Sequence, residues 1–122
     1  MDKDELKQRT KQFALRVITL TDHLPDNRKG RIIGDQLLRS ATSVAANYRA
    51  ACRARSTAEF IAKLGNVLEE ADETAFWLEM IVDASLRAER RVASLVAEAN
   101  ELPAIIFTAR RTTQRKILSP KS

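Results

Sequence analysis

One cysteine and one histidine in 122 residues exclude whole classes of chemistry. Cys52 alone forms no disulfide within its chain and offers a metal no second thiolate, so a cytoplasmic compartment is the default expectation. The lone His23 falls at a predicted helix end just before Pro25, whereas a di-iron or di-manganese bundle needs Glu-x-x-His pairs facing inward from two helices. The carboxylates Glu69, Glu70, Asp72, Glu73 and Glu79 therefore read as a solvated or ion-paired face, and no metal or other cofactor is expected. No histidine lies within helical reach of Cys52 or a serine, and no G-x-S-x-G elbow exists, so nucleophilic catalysis has no constellation. Gly30 and Gly34 do not make a phosphate loop. The expectation is a non-enzymatic protein.

Long apolar runs are missing too. No stretch approaches the roughly 18 to 20 apolar residues of a membrane span, and the N-terminal MDKDELKQRTKQ is charged. Neither a transmembrane helix nor a signal peptide is expected, and no membrane partner. Phe107 and Ile117 are sparse apolar anchors beside the C-terminal positive charge, which argues against a membrane-surface role. Glycine and proline are scarce, at three each, while Ala, Leu, Glu and Arg are plentiful. Such residues lose little freedom in a helix, so the chain reads as all-α. Its length fits one domain, 1–118, followed by a short tail, 119–122.

Apolar periodicity divides the chain into four helices. The first, from about Lys3 to Asp22, carries Leu6, Phe13, Val17, Leu20 and Leu24 on one stripe, and LPDNRKG ends it. The second, about Arg31 to Ala54, carries Ile33, Leu37, Ala41, Val44, Tyr48 and Ala51 or Cys52. At 100° per residue its Arg39, Arg49 and Arg53 lie on the far side within roughly 80° of one another. Ser40, Ser43 and Asn47 run between the two faces, as small polar groups do where helices approach closely.

Ser56-Thr57-Ala58-Glu59 is a capping box that starts a third helix at about Thr57. Its core stripe is Phe60, Leu64, Val67, Ala71, Thr74, Leu78 and Ile81. Phe76 and Met80 point away from that stripe and Trp77 sits to one side, a patch that marks an interface with another subunit. The fourth helix begins near Ala88 with Val92, Leu95, Ala99, Leu102, Ile106 and Ala109 inside, and Pro103 predicts a kink or restart near Asn100. Short connections between such stripes give an up-down-up-down four-helix bundle.

Charge is laid out in blocks within the net +5. Residues 24–55 carry a net +5 and 87–122 a net +5, flanking 56–86 with a net −6. Two explanations of the second-helix arginines stand side by side. Clustered cations contact phosphates in a sequence-independent, salt-sensitive way. Alternatively they pair with Glu69, Glu70, Asp72 and Glu73 of a neighbouring subunit, where alternating sign selects the register. The C-terminal cluster has no acid after Glu101 to compete for it.

The second and third helices also carry a resemblance. QLLRSATSVAANYRAACRARSTAEFIAKL and EEADETAFWLEMI, within about Phe13 to Ile106, resemble the bundle proteins encoded in intervening sequences of bacterial large-subunit ribosomal RNA genes. That resemblance implies a homopentameric ring with no known enzymatic activity and a suspected role in binding nucleic acid. A related bundle, the accessory protein of diversity-generating retroelements, is a basic pentamer that partners a reverse transcriptase and RNA. Where the family commonly has glutamate directly after Asn-Tyr-Arg, this chain has Ala50, so a nearby arginine lacks the partner that pattern offers.

The expectation is a ring-like homo-oligomer, a pentameric bacterial bundle, whose basic surfaces bind RNA or DNA without strong sequence specificity. Its nucleic-acid-binding candidates are Arg39, Arg49, Arg53, Arg55, Arg110, Arg111, Arg115 and Lys116. Its interface candidates are Ser40, Ser43, Asn47, Glu70, Glu73, Phe76, Trp77 and Met80. The alternative is a protein-interaction scaffold or an accessory subunit of a nearby-encoded enzyme such as a reverse transcriptase.

Overall fold

The computed structural model describes residues 1–118, all of whose regular structure is helical. The expected tail, 119–122, lies outside the described residues. Four helices follow in order: α1 Lys3–Thr21, α2 Arg28–Cys52, α3 Thr57–Asp83 and α4 Glu89–Leu118. Each packs against its neighbours in sequence, the α2–α3 seam being the most extensive, and α1 also meets α4 along the thinnest seam. Arg9 reaches Glu98 while Arg16 reaches Ser94, so α1 and α4 run antiparallel.

Side-chain caps start the first three helices. Asp2 accepts from the Glu5 amide at 2.8 Å, Asn27 from the Gly30 amide at 2.8 Å and Ser56 from the Glu59 amide at 3.1 Å. Each takes up one of the first-turn N–H groups that a helix leaves without partners. The Asn27 cap corrects the expected start of α2, which begins three residues before Arg31. Gly30 is therefore no breaker. It lies inside the first turn without a positive φ, and a Cβ there would stand 2.0 Å from the Pro25 carbonyl oxygen. The missing side chain lets the α1–α2 turn fold back onto α2.

The end of α3 is a left-handed cap made without glycine. Ser85 has φ 57°, the Leu86 amide bonds the Ile81 carbonyl at 2.9 Å and the Ser85 amide bonds Val82 at 3.0 Å. Leu86 then tucks into the core, the apolar contact that accompanies this cap.

The core is built from the expected stripes. All seven positions read for α3 are buried, as are Leu37, Ala41, Val44, Tyr48 and Ala51 of α2, while Ile33 and Cys52 are half-buried. The buried hydroxyls of Thr10, Ser40 and Thr74 bond carbonyls of their own helices, to Leu6, Leu37 and Glu70. Such pairing removes the cost of an unsatisfied polar group inside a bundle.

α4 runs through Pro103 as one helix, so of the kink or restart expected near Asn100 the restart does not occur. Proline leaves the Ala99 carbonyl without its usual donor, but Ala99, Leu102 and Ile106, all buried, hold both halves of the helix to the core. By length and composition alone α4 is apolar enough to cross a membrane. Its Glu98 and Glu101 engage Arg9 of α1.

Candidate functional site

The α2–α3 seam brings predicted residues from both helices together. Arg39 donates from Nε to the Gln36 side chain at 3.2 Å, from Nη1 to Glu70 at 3.4 Å and from Nη2 to Glu73. Arg39 thus has acids within its own chain, because the antiparallel α2–α3 register sets it between Glu70 and Glu73. The two carboxylates respond differently. The Arg39 hydrogen bond holds Glu73 below the ordinary glutamate value, whereas burial raises Glu70 above it despite the same guanidinium. Glu73 is therefore the principal partner, and its hydrogen bond is the main cause that raises Arg39.

One helical turn further on, Trp77 is half-buried against the core, its ring meeting Phe76 edge-on at 4.9 Å and 72°. Its buried indole N–H has no hydrogen-bond acceptor among the described residues. Phe76 is 49% exposed and Met80 half-buried, so an apolar strip borders the Arg39 cluster. Ser43 and Asn47 are half-buried on α2. Ser40 is not part of this surface: it is fully buried and bonds Leu37, which corrects its expected place at a subunit interface.

The remaining arginines divide by their partners. Arg49, Arg53, Arg55, Arg111, Arg115 and Lys116 are exposed, and none has a carboxylate partner among the described residues. Arg110 differs. Its Nε donates to the Ile61 carbonyl at 3.1 Å and its guanidinium lies over Gly65, where a Cβ would stand 3.4 Å from Nη2. α3 thus holds Arg110 through its Nε, unlike its neighbours Arg111, Arg115 and Lys116.

The sequence that builds this bundle and its α2–α3 seam matches a family model. The match, to the 23S rRNA-intervening sequence protein, covers residues 2–108. The chain belongs to that family. A solved structure described as a protein of unknown function from the S23 ribosomal protein family, from Bacteroides thetaiotaomicron, is 32% identical with a TM-score of 0.80. It covers 86% of this chain and 97% of its own. No curated protein matches the chain. The family model spans the whole α2–α3 seam and stops inside α4, before Arg110, Arg111, Arg115 and Lys116.

Sequence reasoning missed the polar clamp between α1 and α4. Arg9 donates to Glu98 from Nε at 2.8 Å and from Nη2 at 2.7 Å, and pairs with Glu101 at 3.0 Å. Arg16 adds a hydrogen bond to Ser94 at 2.9 Å. Partners 89 residues apart leave no signal in local periodicity. Lys3 was also missed: its ammonium sits 4.5 Å from the centre of the Phe60 ring, which ties the start of α1 to α3. Among the described residues no group of three or more His, Cys, Asp or Glu is placed to hold a metal ion.

Proposed function

We propose that this family member is a non-enzymatic bundle that assembles into a ring of identical subunits and binds RNA or DNA through its basic surfaces. The observation that carries the reading is the partition of the cations. Arg39 is neutralised inside its own chain, while Arg49, Arg53, Arg55, Arg111, Arg115 and Lys116 are exposed without carboxylate partners among the described residues. Cations kept unpaired on a surface favour a polyanion, and release of counterions makes such binding salt-dependent rather than base-specific. Assembly through the Phe76, Trp77 and Met80 strip repeats each subunit's contacts, so weak sites gain avidity.

Fluorescence anisotropy with RNA and DNA at two salt concentrations, with light scattering on the same sample, tests both halves. A several-subunit particle whose binding weakens steeply with salt supports the reading. An oligomer indifferent to both nucleic acids at low salt overturns it. The result would then favour an interaction scaffold, or an accessory subunit of a nearby-encoded enzyme such as a reverse transcriptase, a reading supported by Phe107, 53% exposed on the outer face of α4.

A further inference from the structure

At the end of the bundle where α2 turns into α3, a groove of about 620 Å³ opens between the start of α1, that turn and the last turns of α4. Lys3, Arg55 and Lys116 line it from these three separate parts of the chain, with the hydroxyl residues Ser56, Thr57 and Thr113 between them. Among the described residues no acidic residue lines it. None of the three cations has a carboxylate partner among the described residues, although Lys7, Arg9, Arg31, Arg39 and Lys63 all do. We propose that this groove is a phosphate-binding site. It deepens the nucleic-acid reading and rests on it for the strand that carries the phosphate.

Three like charges around one opening repel each other, and none of them is held in an ion pair with a described carboxylate. An anion relieves that repulsion. The geometry favours phosphate over carboxylate: donors arriving from three sides suit a tetrahedral group with several acceptor oxygens, whereas a planar carboxylate suits a single guanidinium fork. Lys3 is held at the groove by its contact with Phe60, which forms part of the same wall. α3 starts here at Thr57, so its dipole adds to the field of the cations. Such a phosphate comes either from within a strand, as a singly charged diester, or from a strand's 5′ end, as a more highly charged monoester.

The test is a titration of the full chain with inorganic phosphate at low salt, followed in amide proton–nitrogen spectra. Saturable shifts are expected at Lys3, Arg55, Thr57 and Ala58, with affinity falling by at least about tenfold, the loss of one hydrogen bond to a charged group, in a Lys3→Gln, Arg55→Gln, Lys116→Gln variant. A matched variant, Arg28→Gln, Lys29→Gln, Arg90→Gln, removes the same charge from the opposite end of the bundle and should keep the wild-type shifts. Absent groove shifts, or shifts equally weakened by both variants, overturn the site. Should the groove triple variant misfold by circular dichroism, Arg55→Glu on the exposed turn replaces it, with the same loss expected.

RNA anisotropy separates this proposal from the broader one. If RNA binds, the groove variant should lower the slope of log affinity against log salt by about 0.7 for one released phosphate. Preference for a 5′-phosphorylated over a 5′-hydroxyl oligonucleotide assigns the groove to a strand end, and equal affinity assigns it to an internal diester. RNA binding that the groove variant leaves unchanged, with no phosphate shifts, overturns the groove and leaves the nucleic-acid reading standing. Phosphate shifts without RNA binding do the reverse.

Discussion

Arg9 of α1 and Glu98 of α4 are joined by two parallel hydrogen bonds, 2.8 Å from Nε and 2.7 Å from Nη2. Both side chains are largely covered, 24% and 15% exposed, on the thinnest seam of the bundle. A fork of this kind is stronger than a neutral hydrogen bond, and removing one member strands the other charge. Arg9→Gln should cost about 2 kcal/mol in urea unfolding. A cost near zero would mean that apolar packing alone holds α1 to α4.

The same pair predicts a pH dependence. The Arg9 hydrogen bond holds Glu98 below its ordinary 4.5, so its contribution to stability is present above that value and is lost as pH falls through the lower folded value. Wild type should exceed Glu98→Gln in stability at pH 7, and the gap should close as the buffer is taken well into the acid range. A gap independent of pH would show that the carboxylate charge is not what stabilises the seam.

Gly30 stands where a Cβ would meet the Pro25 carbonyl oxygen at 2.0 Å. Backbone rather than a movable side chain is in the way. Gly30→Ala should therefore destabilise by about 2 kcal/mol despite the better helix propensity of alanine. Chemical denaturation checks it, and a stabilised variant would contradict this geometry.

Ser85 occupies the left-handed position at the end of α3, with φ 57°. A side chain there crowds the following carbonyl, a cost of about 1–2 kcal/mol that glycine avoids. Part of that gain is lost to glycine's freedom in the unfolded chain, so Ser85→Gly should raise stability by about 0.5–1 kcal/mol. Thermal unfolding of the two proteins side by side measures it.

Phe76 and Met80 lie on the outer strip of α3, with Phe76 49% exposed. Charge placed there costs the monomer little but cannot be buried against a second chain. On the proposed assembly, Phe76→Asp with Met80→Asp should keep the helical circular dichroism and reduce the mass seen by light scattering to that of one subunit. An unchanged assembly mass would move the interface to another face.

Much of the bundle was legible because it is local. The seven-residue stripe from Phe60 to Ile81 and the Ser56 cap follow from a 3.6-residue period and one side chain reaching three residues ahead, and all appear in α3. The start of α2 was misread because Gly30 looks like a breaker until the Pro25 carbonyl is seen against it. Ser40 was placed at the edge of the core face. On a helical wheel it lies about 20° from Ala51, and only the closeness of the α2–α3 seam turned that edge inward.

What the amino-acid order determined by itself is the set of helices, their caps and the faces they bury, since these depend on residues within a few turns of each other. Tertiary structure decided which faces meet. It gave Arg39 the acids of its own chain, gave Arg9 a partner 89 residues away and drew Lys3, Arg55 and Lys116 around one groove. The reason is geometric: a helix fixes the angle of each side chain about its own axis, but the distance between charges on different helices is set only when the shared core brings those axes together.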